Sequence, residues 1–239
     1  MEHELFGVSV LMPCLNEEKT IGLCVEKAAC FLRENGIPGE VLVADNGSTD
    51  ASGSIAEKMG ARVVCVPERG YGNALKAGIA AAKYSFIIMG DSDDSYNFLE
   101  IKSFYDKLIE GADLVIGNRF EGGIEPGAMP VLHRYFGNPC LSWLGRMRYG
   151  VSVRDFHCGL RGLRRSAMLS LRLCTGQMEF ASEMIVKAAQ AGLNMEEIPC
   201  RLYKDKRGRP SHLRSIRDGM RHLLFLLHPV WFENKRKRG

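Results

Sequence analysis

Short apolar runs alternate with helical patterns along the first half of the chain, and this alternation limits the possible fold more than any other feature. The five runs are residues 8–12, 41–44, 62–66, 86–89 and 114–116. Residues 17–35 place apolar side chains at helical spacing, and the alanine-rich segment 73–83 predicts a further helix. Strands that alternate with helices form mainly parallel sheets covered by helices. The sequence therefore predicts an α/β protein.

Three of these runs end in polar turns, and two of the turns contain a glycine. The turns are PCLNEE (13–18), ADNGSTD (44–50) and GDSDDSY (90–96). In an open α/β sheet, such turns lie along the carboxyl edge, where ligands bind. We expect the three turns to meet in one crevice.

The third turn places three carboxylates within four residues, directly after an apolar run. Like charges this close repel, and burying them is costly unless a cation or strong donors compensate. Asp91 and Asp93 are two residues apart, so in an extended segment their side chains point to the same side. Such a pair suits Mg²⁺ or Mn²⁺, with the remaining positions filled by substrate phosphates and water. The alternative is an acidic loop that only caps a helix and faces solvent.

Asp45 follows the second strand and could accept hydrogen bonds from a ribose or a base, while Gly47 allows a sharp turn beside a ligand. The alternative is an Asx-turn in which Asp50 caps the next helix.

Composition and charge exclude several classes of protein. The 239 residues are 46% hydrophobic, which suffices for one domain with a tail, and the eight cysteines include no CxxC pair, so neither a disulfide scaffold nor a zinc site is expected. Residues 201–239 carry twelve Lys or Arg against three acids, a local charge of +9, which leaves −5 for the rest of a chain of net charge +4. A basic tail on an acidic body predicts an anionic partner. With no run of eighteen apolar residues and no signal-peptide core, a cytoplasmic location is expected.

Several motifs together resemble glycosyltransferase family 2. They are SVLMPCLNEEKTI, VADNGSTD, ERGYGNALKAGI, MGDSDDSY, GNRF and DFHCGLRGLRR, in the family's order and approximate spacing from about Val8 to about Trp231. Within the family, the chain is most similar to the bacterial branch related to dolichyl-phosphate and polyprenyl-phosphate hexose synthases. The resemblance implies a GT-A fold, with a nucleotide-binding half at about 1–120 and an acceptor half at about 121–212.

The resemblance also implies roles for individual residues. Donor-binding residues would be Pro13, Leu15, Glu17, Asp45, Asp91, Ser92, Lys206, Arg207, Arg209 and His212, with Asp91 and Asp93 at the metal. Residues acting in catalysis would be Asp93, Arg119, Asp155 and Glu183, with Arg119 supporting the donor phosphates. For Asp155 the alternative is a structural role, and Glu179 and Glu183, four apart on one helical face, could simply pair with Lys187.

Two positions depart from the family pattern. Asn46 stands where many relatives have a second aspartate, and the segment expected to read R-x-x-G-x-S-K reads KRGRPSH (206–212). The phosphate ligands therefore stay open among Lys206, Arg207, Arg209 and His212. Because histidine is only partly charged near pH 7, the arginines would carry more of the task.

Residues 213–239 form a basic tail. Apolar residues at helical spacing from Leu213 predict an amphipathic helix, which either lies on an anionic bilayer surface or packs against the body. The domain boundary is placed at residue 212.

The leading hypothesis is a metal-dependent transfer of a hexose from a nucleotide diphosphate sugar, of UDP-glucose or GDP-mannose type, to a polyprenyl phosphate. The enzyme would work peripherally at the inner face of the membrane, and no nucleic-acid partner is expected. One alternative is transfer to a hydroxyl group, which needs a carboxylate base chosen from Asp155, Glu179 and Glu183. The other is a noncatalytic membrane- or nucleic-acid-binding module whose basic tail is the active part.

Overall fold

Seven strands form one sheet in the computed structural model, which describes residues 5–208 and 215–229 and, for 215 and 216, only the backbone. The strands are β1 (Leu5–Cys14), β2 (Gly39–Asp45), β3 (Arg62–Cys65), β4 (Tyr84–Met89), β5 (Leu114–Asn118), β6 (Arg161–Arg164) and β7 (Met195–Pro199). Their order is β3-β2-β1-β4-β6-β5-β7, and β6 runs antiparallel to both of its neighbours. The remaining pairs are parallel. The predicted α/β class with a mainly parallel sheet is confirmed.

Helices flank the sheet. They are α1 (Ile21–Glu34), α2 (Ser52–Lys58), α3 (Tyr71–Ala81), α4 (Lys102–Ile109), α5 (Arg119–Gly122), α6 (Asn138–Tyr149), α7 (Arg165–Ser170), α8 (Phe180–Gln190) and α9 (Ser215–Leu227). A π-helical turn, His133–Gly137, leads into α6. The five apolar runs lie in β1 to β5, where residues such as Leu11, Leu42 and Ile88 are fully buried. Among the described helices, none combines the length and the apolar character needed to cross a bilayer.

Strands β6 and β7 carry too many charged residues for an apolar pattern to reveal them. Arg161 of β6 is fully buried, and its guanidinium group donates to the carbonyl oxygens of Cys158, Ala181 and Phe156 at 2.8–3.0 Å. A buried charge is tolerated when its donors are satisfied in this way. The side chain therefore ties β6 to the preceding loop and to α8.

The tail helix α9 packs against α6 and α8. Phe225 and Leu226 are fully buried, His222 shares a 2.8 Å hydrogen bond with Ser182, and the Tyr149 hydroxyl donates to the Leu226 carbonyl oxygen at 2.8 Å. Packing against the body, one of the two predicted alternatives, is what the described part of the tail shows. The boundary at residue 212 stays a prediction.

The two leucines Leu224 and Leu226 give a direct test of this packing. Leu226→Ala is expected to lower the free energy of unfolding by about 2–5 kcal/mol, because the deletion leaves a cavity in a closed core. Leu224 is 42% exposed, so Leu224→Ala on the same helix should cost less than about 1 kcal/mol. Urea unfolding of both variants measures the difference. Equal small losses would show that α9 does not pack as described.

Candidate active site

A cavity of about 390 Å³ lies at the carboxyl edge of the sheet, where β1, β2 and β4 end. Its wall includes seven of the residues predicted from the sequence: Pro13, Leu15, Glu17, Asp91, Ser92, Asp93 and Arg207. Asn46, from the turn after β2, also lines the cavity. The three polar turns therefore meet in one crevice.

The turns after β1 and β2 are joined by hydrogen bonds. The backbone N–H of Asn16 donates to the Ser48 hydroxyl at 2.9 Å, and Asn16 accepts from the backbone of Thr49 at 2.7 Å. Asn16 has a left-handed backbone with φ of 57°, a conformation that asparagine tolerates better than most residues. The Glu17 N–H donates to the Ser52 hydroxyl at 2.7 Å. These bonds fix the side of the cavity on which Glu17 lies.

Asp45 is the last residue of β2 and is not part of the cavity wall. Its Oδ1 accepts hydrogen bonds from the backbone N–H and the hydroxyl group of Ser48, three residues on. The Asx-turn of this segment is formed by Asp50, which accepts from the Ser52 N–H at 3.0 Å. The neighbouring Asn46 does line the cavity. It is buried and bridges two loops, donating to the carbonyl oxygens of Val66 and Glu68 and accepting from the Gly70 N–H.

The three carboxylates of the turn after β4, Asp91, Asp93 and Asp94, differ in the positively charged side chains that pair with them. Asp94, which has a left-handed backbone, turns away from the main cavity and pairs with Lys27 and Lys206, each at 2.6 Å. Asp93 forms an ion pair with Arg207 and accepts a hydrogen bond from the backbone of Ser95. Each of these two charges therefore has a cationic partner within the protein.

Asp91 forms no ion pair with any residue that the structure describes. Its Oδ1 accepts a hydrogen bond from the Tyr71 hydroxyl at 3.0 Å. Burial raises the pKa of Asp91 above its ordinary value, although Tyr71 and the more distant Arg207 and Arg119 favour the charged form. This half-buried carboxylate lines the cavity and is the one of the three without an ion-pair partner among the described residues.

Arg207 closes one side of the cavity. Its guanidinium group pairs with Asp93 and lies 3.4 Å from both a Glu17 oxygen and an Asp205 oxygen. The backbone of its segment is held separately, because the N–H of Lys206 donates to the Asp93 carbonyl oxygen at 3.1 Å. The side chain can therefore leave Asp93 without release of the backbone.

The cavity fits a hard divalent cation that receives part of its ligands from a substrate. Within residues 5–208 and 215–229, no group of three His, Cys, Asp or Glu side chains could hold a metal ion unaided. Asp91 and Asp93 nevertheless supply carboxylate oxygens at the cavity wall, and Asp91 has no cationic partner in the part of the chain that the structure describes. Mg²⁺ and Mn²⁺ are commonly bound by one or two carboxylates together with substrate phosphates and water.

Arg119 and Asp155 are brought together, but in the interior rather than in the cavity wall. Two bonds join the guanidinium and carboxylate groups, at 2.7 and 2.8 Å, and the Arg119 N–H adds a third at 3.2 Å. Burial opposes the charge of Arg119, but Asp155 outweighs it and holds the pKa of Arg119 well above its ordinary value. Asp155 has no exposed surface. The pair thus connects the start of α5 to the loop before β6.

Glu183 and Glu179 also lie behind the cavity wall. Glu183 accepts from the backbones of Cys174 and Thr175 at 2.8 Å and pairs with Lys187 at 2.9 Å. Glu179 pairs with Arg221 of α9 through two contacts. Both carboxylates therefore hold structural elements that reach the cavity: Glu183 the loop carrying Gln177 and Met178, Glu179 the helix α9.

Several cavity residues were missed by the sequence reasoning. They are Asn46, Arg69, Tyr71, Gln177, Met178, Arg217, Asp218 and Arg221. Arg217 and Arg221 are four residues apart on α9. That spacing places both on one face of the helix and could have indicated that they line one site. Of the predicted phosphate ligands, Arg209 and His212 lie outside the described residues, and Lys206 pairs with Asp94 beside a neighbouring cavity.

The hydrogen bonds of Glu183 predict an acid-dependent contribution to stability. Burial alone would raise the pKa of Glu183, but bonds from Thr175 and Cys174 lower it below its ordinary value of 4.5. The stabilisation is therefore present above pH 4.5 and is lost as the pH falls through the lower folded-state pKa. Glu183→Gln should cost about 1–3 kcal/mol at pH 7, and the gap to the wild type should shrink below pH 4.5. Urea unfolding at several pH values measures it, with the exposed Glu110→Gln as control; a gap that widens in acid would contradict the assignment.

Two relatives are sugar transferases by name. Over 221 residues the chain is 40% identical to the low-salt glycan biosynthesis hexosyltransferase Agl6 of Haloferax volcanii, a match that covers 92% of this chain and 53% of Agl6. The chain thus spans about half the length of that relative. It is also 32% identical over 207 residues to the dolichyl-phosphate hexose transferase of the same organism, covering 87% of each protein.

The solved structures give the same fold. Glucosyl-3-phosphoglycerate synthase of Mycobacterium tuberculosis, solved with Mn²⁺, UDP-glucose and phosphoglyceric acid, superposes with a TM-score of 0.74 at 24% identity, covering 94% of this chain and 79% of that one. This likeness confirms the predicted GT-A fold. The model of the family described as glycosyl transferase family 2 matches residues 9–171. The chain belongs to glycosyl transferase family 2.

Proposed function

We propose that the chain transfers a hexose from a nucleotide diphosphate sugar to a polyprenyl phosphate, with Mg²⁺ or Mn²⁺ bound at Asp91 and Asp93. The observation that carries the proposal is the half-buried Asp91 carboxylate, which lines the cavity without a cationic partner among the described residues. The dolichyl-phosphate hexose transferase relative supports the choice of acceptor. The solved complexes that contain UDP with Mn²⁺ or Mg²⁺ support the choice of donor and metal.

The reaction breaks the bond between the anomeric carbon of the sugar and the diphosphate oxygen. A phosphate oxygen of the acceptor forms the new bond, and the nucleoside diphosphate leaves with the electron pair. The cation, when bound, neutralises charge on the leaving diphosphate. Arg69, Arg217 and Arg221 line the same cavity and provide further positive charge for phosphate groups.

The ion pairs favour a phosphate acceptor over a hydroxyl acceptor. A hydroxyl acceptor needs a carboxylate base, and the three candidates are already committed: Asp155 to Arg119, Glu179 to Arg221 and Glu183 to Lys187. A phosphate acceptor is anionic near neutral pH and needs no base. In this proposal Arg119, held by Asp155, is a positioning residue behind the cavity wall. Its positive charge also favours the charged form of Asp91.

The proposal includes peripheral association with the inner face of the cytoplasmic membrane, because the acceptor is a lipid. The helix α9 contributes Arg217 and Arg221 to the cavity and also exposes Met220 and Leu224. A noncatalytic membrane- or nucleic-acid-binding module is disfavoured by membership of an enzyme family whose donor-binding turns are present here.

The three aspartates of the turn at 90–96 offer a matched set of variants for testing the reaction. A panel of nucleotide sugars, including UDP-glucose and GDP-mannose, is assayed against undecaprenyl phosphate, a short polyprenyl phosphate and the matching polyprenol as hydroxyl acceptor, and products are identified by mass spectrometry. Asp91→Asn and Asp93→Asn should each lower turnover by about a hundredfold to a thousandfold, the usual cost of losing one group that stabilises departing charge. Asp94→Asn, the same change one residue on, should stay within a few-fold of the wild type because Asp94 pairs with two lysines. Equal effects of all three changes, or transfer only to hydroxyl acceptors, would contradict the proposal.

A second test concerns the competition between Arg207 and the cation for Asp93. Arg207→Gln should strengthen the binding of Mn²⁺ alone about fivefold, since an ion pair worth about 1 kcal/mol no longer has to be broken. The same change should weaken the binding of UDP with Mn²⁺, because a phosphate donor is lost. Electron paramagnetic resonance of free Mn²⁺ measures the first effect and calorimetry the second.

The control for this test is Lys206→Gln, which removes one of the two lysine partners of Asp94 and leaves Asp93 paired. It should change the affinity for Mn²⁺ little. Weaker Mn²⁺ binding in the Arg207 variant would show that the guanidinium group does not compete for the metal position.

A further inference from the structure

A row of exposed apolar side chains runs along the π-helical turn and α6, and these side chains are not part of the buried core. We define it as the apolar stripe: Val131, Leu132, Tyr135, Phe136, Trp143 and Met147. Each of the six is between 57% and 71% exposed. Large apolar residues that are exposed singly are normal, but a contiguous row of them marks an interaction surface.

The local helix geometry keeps the stripe on one side. Over four residues an α-helix turns about 40° beyond a full turn, so an i, i+4 row drifts around the helix. In the π-helical turn the Asn138 N–H bonds to the His133 carbonyl oxygen, five residues back. This wider winding turns each residue through a smaller angle and counteracts the drift. Residues 131, 135, 143 and 147 therefore remain in one row.

The opposite side of α6 is the side that packs. Ser142 and Gly145 are buried, and a Cβ added to Gly145 would lie 2.4 Å from the Phe156 ring. The Ser142 hydroxyl accepts a hydrogen bond from the Phe156 N–H at 3.2 Å. The core thus makes no use of Trp143 or Met147, and the fold does not explain their apolar character.

The charged residues in the segment that carries the apolar stripe indicate what the stripe binds. Between Glu125 and Asp155 the sequence contains four arginines and no acidic residue. Arg134 lies beside the stripe, with its guanidinium carbon 5.5 Å from the Tyr135 ring centre, and Arg148 is exposed at the end of α6. Aromatic and aliphatic residues flanked only by cations are the composition of helices that lie in an anionic bilayer interface.

We propose that the apolar stripe inserts into the interface of an anionic membrane and docks the enzyme there. The inference rests on the proposed function, and it assigns membrane contact to a segment within the catalytic body rather than to the basic tail alone. Because α6 packs against α9, and α9 lines the cavity, docking through the stripe holds the cavity close to the lipid acceptor.

Trp143 reports directly on insertion. The chain has two tryptophans, Trp143 and Trp231, so a Trp231→Phe background isolates its emission. With vesicles of phosphatidylglycerol and phosphatidylcholine, the emission should shift to the blue and be quenched by brominated acyl chains. Emission that neither shifts nor is quenched would overturn the proposal.

A pair of triple variants separates the stripe from general hydrophobicity. Phe136→Gln, Trp143→Gln and Met147→Gln together should reduce vesicle binding by at least about tenfold, because three large apolar groups stay in water. The control combines Leu99→Gln, Ile109→Gln and Leu169→Gln, at residues 44–47% exposed outside the stripe, and should bind as the wild type does. Equal binding by wild type and stripe variant would overturn the proposal.

Two further readouts separate membrane insertion from self-association and from a failure of the proposed function. If light scattering shows a dimer that the stripe variant converts to a monomer, without Trp143 quenching by lipid, the stripe is a contact between copies and the proposal is wrong. Transfer to the short, water-soluble polyprenyl phosphate should be retained by the stripe variant. Stripe-dependent vesicle binding in a protein that transfers no sugar would support the stripe and overturn only the proposed function.

Discussion

Three carboxylates at the end of a buried strand require compensating positive charge, and the structure of the site depends on how that charge is supplied. Lys27 and Lys206 pair with Asp94, and Arg207 pairs with Asp93. The C-terminal segment around residues 203–207 is thereby fastened to the edge of the sheet. Only Asp91 stays without a cationic partner among the described residues, and it is the carboxylate whose pKa is raised by burial. In the proposal, the bound cation supplies the positive charge that Asp91 lacks.

Two buried arginines hold the loop before β6. Arg119 is clamped by Asp155 through three hydrogen bonds, and Arg161 satisfies three carbonyl oxygens. Such charges are costly to bury, and removing one partner leaves the other uncompensated. The loop before β6 is therefore held firmly behind the cavity. Glu179 and Glu183 hold α9 and the 174–178 loop through further buried contacts.

The sequence predicted the parts of the structure that follow periodic patterns. Strands β1 to β5 and the polar turns after β1, β2 and β4 were recognisable because apolar runs and glycine-bearing turns are local signals. Strand β6 was not, because its four residues RGLR contain no apolar run, and its buried Arg161 is accommodated by carbonyl oxygens that only the folded chain brings around it. Gln177 enters the cavity through a loop without a pattern, and the interior position of Asp155 depends on its long-range partner Arg119. The apolar stripe was also missed, since exposure cannot be read from spacing alone.

Crystallography with anomalous scattering at the manganese edge tests the central claim most directly. A crystal of the protein soaked with Mn²⁺ and UDP should show one strong peak within about 2.0–2.2 Å of a carboxylate oxygen of Asp91 or Asp93, the distance range of a small hard cation. The Arg207 guanidinium group should have moved from Asp93 towards the diphosphate. A peak elsewhere, or UDP bound with Arg207 still paired to Asp93 and no manganese beside either carboxylate, would contradict the account.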